Sequence, residues 1–264
     1  AIEEKKAASV RVKVRIAADC LLGEHPVRVR TKGGVTEVKT FYVGPFPVVA
    51  RVKPKAGEPH QKLPLNSTVA SSVPNESQEL FTVDAKKGQR LSAEIESMRL
   101  GRGFYDPYIE ILDTKGFILS RSDDTKLFIQ DCYASATVPE DGTYTIKVRE
   151  TSYGSVGAYR MHVGTFARPT AAYPGGGPVG QDLQVKLIDP AAGDFVQSLK
   201  LTKPGKLQVS GGRMDMPTYN DYGIFASLGG VRTPSWNRLR LSDFPNALEV
   251  EPNNSLGEAK LIET

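Results

Sequence analysis

Apolar and polar residues alternate with a period of two along several segments of the chain, and this pattern constrains its fold most. In residues 9–17, SVRVKVRIA, three valines and Ile16 fall on one side while arginines and a lysine fall on the other. The alternation recurs in three further segments: TYTIKVRE (143–150), AYRMHVG (158–164) and DLQVKLI (182–188). Each segment predicts a half-buried β-strand, with one face on a core and the other in water.

Turn signals separate these segments at short intervals. They are TKGG (31–34), KKGQ (86–89), DTKG (113–116), PEDG (139–142) and TKPG (202–205). No segment has the apolar spacing of an amphipathic helix of three turns. Short strands with regular turns predict an all-β fold of tandem antiparallel β-sandwiches and argue against βαβ units.

Two distant segments resemble each other. Residues 33–54 and 229–252 both begin Gly-Gly-Val, run through a predicted strand, reach Phe-Pro and end in a Val-X-Pro step. The Gly-Gly-Val copies lie 196 residues apart and the Phe-Pro copies 198. This period suits a two-domain unit used more than once, although chance similarity is the alternative. On the repeat interpretation, residues 1–47 are the closing strands of a sandwich and the chain is a window from a longer modular protein.

The stretch from Leu63 to Gly164 carries a set of strand and turn motifs. They are Asp106-Pro107 before a strand, Asp113 with Gly116 in a turn, Asp123-Asp124 after the return strand, and Asp141-Gly142-Thr143-Tyr144. This set resembles the bacterial pre-peptidase C-terminal domain, a small jelly-roll-like β-sandwich. The flanking segments resemble immunoglobulin-like domains. The predicted organisation is closing strands of an immunoglobulin-like sandwich (1–47), a pre-peptidase C-terminal-like sandwich (48–165), an immunoglobulin-like sandwich (166–247) and the start of a further pre-peptidase C-terminal-like domain (248–264).

The resemblance implies an exported bacterial protein, extracellular or on the cell surface. The function we expect is that of a non-catalytic spacer whose partners are neighbouring domains of the same chain. Two alternatives stay open: a module that binds an extracellular polymer or polysaccharide, with or without calcium, and an accessory region of a secreted peptidase. Fold alone does not decide among them.

No catalytic motif accompanies the three histidines, His25, His60 and His162. The alternation around His162 places it on the solvent face of a strand. Neither a nucleophile elbow, a P-loop nor a zinc-protease motif is present, so no cofactor is required and the chain is not expected to be an enzyme. The two cysteines, Cys20 and Cys132, are read as free thiols, with a disulfide as the alternative.

Five aspartates lie near the ends of strands in one predicted hairpin region: Asp106, Asp113, Asp123, Asp124 and Asp131. Calcium takes six to eight oxygen ligands, which loop carboxylates supply readily, so these residues are the candidate metal ligands. The alternative is that aspartate starts turns and bonds nearby backbone amides. Lys53 and Lys55 lie in the entry segment of this domain and argue against a calcium site there, because lysines cannot ligate calcium and would repel it.

A second candidate site is a ligand-binding patch in which aromatic rings and arginines interleave, at Tyr105, Tyr108, Arg102 and Arg121. Such rings could stack on sugars or hold peptide, but these residue types more often pack as core or lie along a strand face. The formal net charge of +4 does not call for a nucleic-acid partner. No apolar run of 18 residues is present, so no insertion into a membrane is expected.

Overall fold

A computed structural model describes residues 2–6, 9–100, 105–126, 128, 130–202 and 221–261. The chain divides into two compact units, residues 1–43 and 44–264. Regular structure in the described part is β throughout, apart from one turn of 3-10 helix at Met98–Leu100, and this confirms the predicted all-β class. Among the described residues there is no helix with the length and apolarity to span a membrane.

The first unit consists of three separate two-stranded antiparallel pairs, β1–β2, β3–β6 and β4–β5. Its strands are β1 (Ile2–Lys5), β2 (Val10–Val12), β3 (Gly23–Val27), β4 (Arg30–Thr31), β5 (Gly34–Val35) and β6 (Lys39–Val43). No described side chain of this unit is buried. The prediction of a half-buried strand over residues 9–17 is therefore wrong: Val12, Val14 and Ile16 are 49%, 58% and 50% exposed. The physical reason is that a two-stranded ribbon has no second layer to cover an apolar face.

The second unit begins with a sandwich of two five-stranded sheets. Its strands are β7 (Val48–Val49), β8 (Gln61–Lys62), β9 (Ser67–Val73), β10 (Gln78–Ala85), β11 (Arg90–Glu96), β12 (Pro107–Leu112), β13 (Ile118–Ser122), β14 (Tyr133–Thr137), β15 (Gly142–Glu150) and β16 (Gly157–Gly164). One sheet, here the hairpin sheet, has the order β13-β12-β15-β10-β8. The other, the junction sheet, has the order β14-β11-β16-β9-β7. All pairs are antiparallel except those of the short edge strands β7 and β8, which are parallel.

The core of this first sandwich lies between its two sheets and follows the alternation of the sequence. On β15, Tyr144, Ile146 and Val148 are fully buried, and on β16 so are Met161 and Val163. β15 confirms the period-two prediction, and β16 confirms it for its core face but not for the face that carries His162. Turns fall at the glycines between the strands. Gly116, in the turn between β12 and β13, has a φ of 88°, a backbone conformation that is unfavourable for residues with a Cβ.

A second, smaller sandwich follows, with its own core built around Val185, Leu187, Leu201 and Leu239. Its strands are β17 (Ala171–Tyr173), β18 (Gly176–Pro178), β19 (Asp182–Ile188), β20 (Phe195–Lys200), β21 (Asp221–Ile224), β22 (Ser227–Leu228), β23 (Val231–Arg232) and β24 (Asn237–Ser242). They form the sheets β17-β19-β20 and β18-β24-β21 and the hairpin β22–β23. The alternation predicted for residues 182–188 is confirmed, because Val185 and Leu187 are buried while Lys186 is exposed.

The two similar segments have similar local structure. In each, the Gly-Gly-Val sequence sits at a two-residue hairpin, β4–β5 in the first and β22–β23 in the second. In each, a longer strand follows, β6 or β24, and leads to Phe-Pro. The hairpins differ by one residue in register, since Val35 pairs with Arg30 whereas Val231 pairs with Leu228. The two extra residues of the second segment lie between its hairpin and β24.

Candidate functional site

Three of the five predicted aspartates meet at one end of the hairpin β12–β13. Asp106 immediately precedes β12, while Asp123 and Asp124 follow β13, and antiparallel pairing brings the two ends together. One carboxylate oxygen from each lies within 4.8 Å of the others. Asp106 is half-buried and its two neighbours are exposed. This acid trio (Asp106, Asp123 and Asp124) has the all-oxygen donor set that suits a hard cation such as calcium.

The electrostatics of the acid trio centre on Asp106. Burial, followed by repulsion from Asp123 and Asp124, raises the pKa of the Asp106 carboxyl to about 6. Its Oδ1 atom is buried and has no hydrogen-bond partner, while Oδ2 accepts a hydrogen bond of 3.3 Å from Gln130 Nε2. Thr151 Oγ1 donates to Asp123 Oδ1 at 2.6 Å and adds a further oxygen beside the trio. A cation here would relieve the mutual repulsion and satisfy the buried oxygen.

The other two predicted ligands are engaged elsewhere. Asp113 lies in the turn at the opposite end of the hairpin, where Oδ1 accepts hydrogen bonds from the amides of Lys115 and Phe117. Asp131 is fully buried, and its carboxylate accepts bonds from the amides of Ser97 and Met98 at 2.8 and 2.7 Å. The structure therefore gives Asp113 the turn role that was the alternative, and makes Asp131 an anchor for the 3-10 turn.

The predicted aromatic patch separates into a core residue and a surface residue. Tyr105 is 1% exposed and stacks on Tyr159, with ring centroids 6.5 Å apart, so it belongs to the core. Tyr108 is half-buried and lies under the guanidinium of Arg149, whose Cζ is 3.9 Å from the ring centroid. Arg121 is exposed on the edge strand β13. Arg102 lies outside the described residues.

Tyr153, a further tyrosine that the sequence suggests for this patch, lies on the same surface as Tyr108. Its ring lies 4.7 Å from Arg149 Cζ, so the guanidinium contacts two tyrosine rings. Tyr153 has a φ of 59°, a left-handed conformation that is rare for a bulky side chain. The buried Glu150 carboxylate holds the turn by accepting hydrogen bonds from the amides of Ser152 and Gly154 at 2.9 and 2.7 Å. Arg149 and Tyr153 were missed as a pair because cross-strand geometry and turn geometry together create the contact.

A buried ionic junction lies on the outer face of the junction sheet, where the second sandwich packs. Glu94 on β11 is fully buried and accepts a hydrogen bond of 3.1 Å from Arg99 Nη2. Ser235, which precedes β24, donates to the same Glu94 oxygen. Arg168, in the connection after β16, has its Nε 3.3 Å from the other Glu94 oxygen. Two arginines and a serine hydroxyl therefore converge on one carboxylate, and Arg168 and Ser235 come from distant parts of the chain.

Arg168 ties the second sandwich to this junction. It is 3% exposed, and its guanidinium donates to the carbonyl of Ser235 and to Asn237 Oδ1, each at 3.2 Å. Its Cζ also lies 4.2 Å from the ring centroid of Phe128. Burial lowers the pKa of Arg168 to about 10, although the Glu94 carboxylate opposes that shift. Arg168 therefore stays charged at neutral pH and keeps its partners.

Sequence alternation placed His162 on a solvent face, and this prediction is wrong. His162 is 1% exposed, its Nδ1 is 2.8 Å from Thr68 Oγ1, and its Nε2 is 3.1 Å from a Glu96 oxygen. The side chain does leave the core of the first sandwich, but other parts of the chain cover the outer face it enters. Burial opposes the shift, yet the contact with His162 and the charges of the neighbouring arginines hold the pKa of Glu96 well below its usual range.

Both cysteines are free, in agreement with the preferred interpretation of the sequence. Cys132 is fully buried, and burial raises the pKa of its thiol well above the usual value. Cys20 lies with its sulfur 3.7 Å from His25 Nε2, but the same nitrogen is 2.8 Å from the carbonyl of Leu21. A nitrogen that donates its proton to that carbonyl cannot accept one from the thiol, so this pair lacks the geometry of a catalytic dyad.

No protein-family model matches this chain, and no curated protein matches it. Among solved structures, it is similar to the periplasmic inhibitor of g-type lysozyme, PliG, of Aeromonas hydrophila, with 17% identity, a TM-score of 0.31, and coverage of 45% of this chain and 96% of the other. It is similar to the pre-peptidase C-terminal domain of collagenase from Bacillus anthracis, with 14% identity, a TM-score of 0.31, and coverage of 43% and 99%. The PliG of Salmonella Typhimurium gives 15% identity, a TM-score of 0.28, and coverage of 45% and 96%. At these scores the similarities assign the chain neither to a family nor to an activity.

Proposed function

We propose that this chain is a non-catalytic structural segment of a larger exported bacterial protein, in which two β-sandwiches act as one rigid spacer. The observation that carries the proposal is the buried ionic junction between them. A pair of sandwiches joined only by a flexible linker has no need to remove charged groups from water, because doing so costs free energy. We therefore infer that the junction fixes the orientation of one sandwich relative to the other.

Two kinds of contact hold the junction. Apolar contact fixes the connecting segment on the first sandwich: Phe166 is fully buried and has its ring centroid 5.7 Å from Phe46 and 6.2 Å from Tyr133. Orientation comes from the charges, since a shifted docking would leave Glu94 or Arg168 buried without a partner. That penalty is several kcal/mol for each ion, so it disfavours arrangements of the two sandwiches that separate Glu94 from Arg168. The joining segment adds its own restraint, because the Arg168 amide donates to Asp189 Oδ2 at 2.7 Å.

The placement of the histidines supports the non-catalytic part of the proposal. His162 is enclosed by Thr68 and Glu96, where a substrate does not reach it. His25 bonds a backbone carbonyl in the first unit. His60 is exposed, and among the described residues no nucleophile is hydrogen-bonded to it. These arrangements lack the base-to-nucleophile contact that covalent catalysis uses.

Residual dipolar couplings test the rigid spacer. Backbone amides of the first and second sandwiches should report one common alignment tensor, and Arg168→Met should separate the tensors or lower the order of the second sandwich. Arg121→Met, an exposed arginine on β13, is the matched control and should change neither. Two independent tensors in the unmodified chain would show that the sandwiches reorient freely, which contradicts the proposal. Fractionation of the bacterium that makes the parent protein tests export separately.

A second candidate function, binding of calcium with or without an extracellular polymer, is supported by the acid trio. Three carboxylates within 4.8 Å, one with a buried oxygen that lacks a partner, are the observation that favours it. Binding to the native state raises the free energy of unfolding by about 2.7 kcal/mol at a free concentration one hundred times Kd. Calcium should therefore raise the melting temperature relative to excess EDTA, and the effect should disappear in Asp123→Asn.

Asp113→Asn is the matched control for this test, since it removes an aspartate of the same hairpin that lies at the other end. It should leave the calcium-dependent shift intact. Below about pH 6, protonation of Asp106 should weaken binding, because the proton and the cation compete for the same carboxylate oxygens. Melting curves that coincide in calcium and EDTA would contradict this candidate and leave the rigid spacer unaffected.

A further inference from the structure

Two separate parts of the chain carry opposite net charge. Residues 1–43 contain nine lysines and arginines against five acids. Residues 243–264, which follow β24, contain five acids and a single lysine. The overall charge of +4 hides this separation. Surfaces of opposite charge attract over about 10 Å at 0.1 M salt, so each part is suited to meet the other.

Both parts also leave large apolar side chains in water. In the basic segment (Val10–Ile16), Val12, Val14 and Ile16 are 49%, 58% and 50% exposed. In the acidic segment (Ala247–Glu251), Leu248 and Val250 are 44% and 61% exposed. Exposed apolar groups clustered beside charges are typical of surfaces that bind a partner.

Both segments alternate apolar and charged residues as a strand does, and their charges have opposite sign. The basic segment reads VRVKVRI, with positive charges between the apolar residues, and the acidic segment reads ALEVE, with Glu249 and Glu251 flanking Val250. In the described part of the chain, β2 pairs with β1 alone and so keeps one open edge, and residues 245–250 belong to no strand. An extended segment adds readily to an open sheet edge through backbone hydrogen bonds, and opposite charges on facing positions favour the pair.

We propose that the acidic segment of one copy of this chain adds as a β-strand to the basic segment of a second copy. Valines, Ile16 and Leu248 would then share one face of the new ribbon, and glutamates would face arginines on the other. The occupant is a second copy because one chain carries both complementary segments, whereas two basic segments repel each other. Such a contact is head-to-tail, so it builds rings or chains of copies. It does not depend on the rigid spacer being correct.

Sedimentation velocity over a range of protein concentrations tests this association with three variants. Glu249→Lys with Glu251→Lys reverses the acidic segment, and Arg11→Glu with Arg15→Glu reverses the basic one. Each variant alone should sediment as a monomer at concentrations where the unmodified chain associates. An equal mixture of the two should associate again, because each then supplies the charge that the other has lost. Glu58→Lys with Glu140→Lys changes the net charge by the same amount as the reversal of the acidic segment, but on the first sandwich, and should leave association intact.

Salt and hydrogen exchange complete the test. At about 1 M salt, where the screening length is about 3 Å, the association of the unmodified chain should weaken. The amides of residues 247–251 should be protected from exchange only in the associated form. A chain that stays monomeric at every concentration overturns the proposal, and so does association that survives both charge reversals. Protection of residues 247–251 in a monomer would show that the segment folds back on its own chain, which also overturns it.

Discussion

Replacing Arg168 with methionine should destabilise the second unit by about 3 kcal/mol. Removing one partner of a buried ion pair costs about 3–5 kcal/mol, because the remaining charge stays dehydrated. The lower end applies here, since Glu94 keeps its 3.1 Å hydrogen bond from Arg99. The carbonyl of Ser235 and the side-chain oxygen of Asn237 would each lose a donor at 3.2 Å. Methionine keeps much of the volume, so cavity formation contributes little.

Urea and thermal unfolding measure this loss. For 150–250 residues, 1 kcal/mol corresponds to about 2–4 °C in melting temperature, so Arg168→Met should lower it by about 6–12 °C. In Glu94→Gln with Arg168→Met no ion is left unpaired at this position, and the double variant should lose less than the sum of the single variants. A loss below about 1 kcal/mol in Arg168→Met, or one equal to that of Arg121→Met, would refute the argument that dehydrated charge fixes the junction.

Three further predictions concern the first sandwich. Gly157→Ala should destabilise it by more than about 2 kcal/mol in urea unfolding, which is about the cost of overpacking a core, because the new Cβ would lie 2.0 Å from a Tyr105 ring carbon. Gly154→Ala is the control and should be nearly neutral, because its Cβ would meet nothing within 4 Å. Asp106→Asn should raise the melting temperature at pH 7 in EDTA but not at pH 3. The raised pKa means that the unmodified chain loses stability as the pH rises from 3.8 to about 6, and equal effects at both pH values would contradict this. Arg149→Met should cost about 1–2 kcal/mol by removing its contacts with two tyrosine rings, and a change within error of Arg121→Met would count against those contacts.

Part of the candidate site follows from the sequence alone. Asp106 precedes one predicted strand and Asp123-Asp124 follow the next, so an antiparallel hairpin must bring them to the same end. The same reasoning separates Asp113 from them, because it belongs to the turn. All five aspartates lie near strand ends of one predicted hairpin region, and the connectivity of the hairpin divides them between its two ends and the 3-10 turn. The burial of Tyr105 confirms core packing, the alternative that the sequence left open beside a ligand-binding role.

The sequence determined which residues share a face of a strand. In β11, RLSAEIE, alternation separates Leu91, Ala93 and Ile95 from Ser92, Glu94 and Glu96, and the structure keeps that separation. Alternation is a local property of the extended backbone, and so it can be read without knowing the fold. The turns between strands are local for the same reason.

Only the tertiary structure decided what covers each face. Glu94 and His162 lie on the face that alternation assigns to water, yet both are buried: Arg168 and Ser235 contact Glu94, and His162 lies between Thr68 and Glu96. Val12 and Val14 show the reverse, since they have the alternation of a buried strand but no second layer in their unit covers them. Contacts between Glu94 and Ser235 join residues 141 positions apart, and no local pattern in the sequence encodes a pairing over that distance.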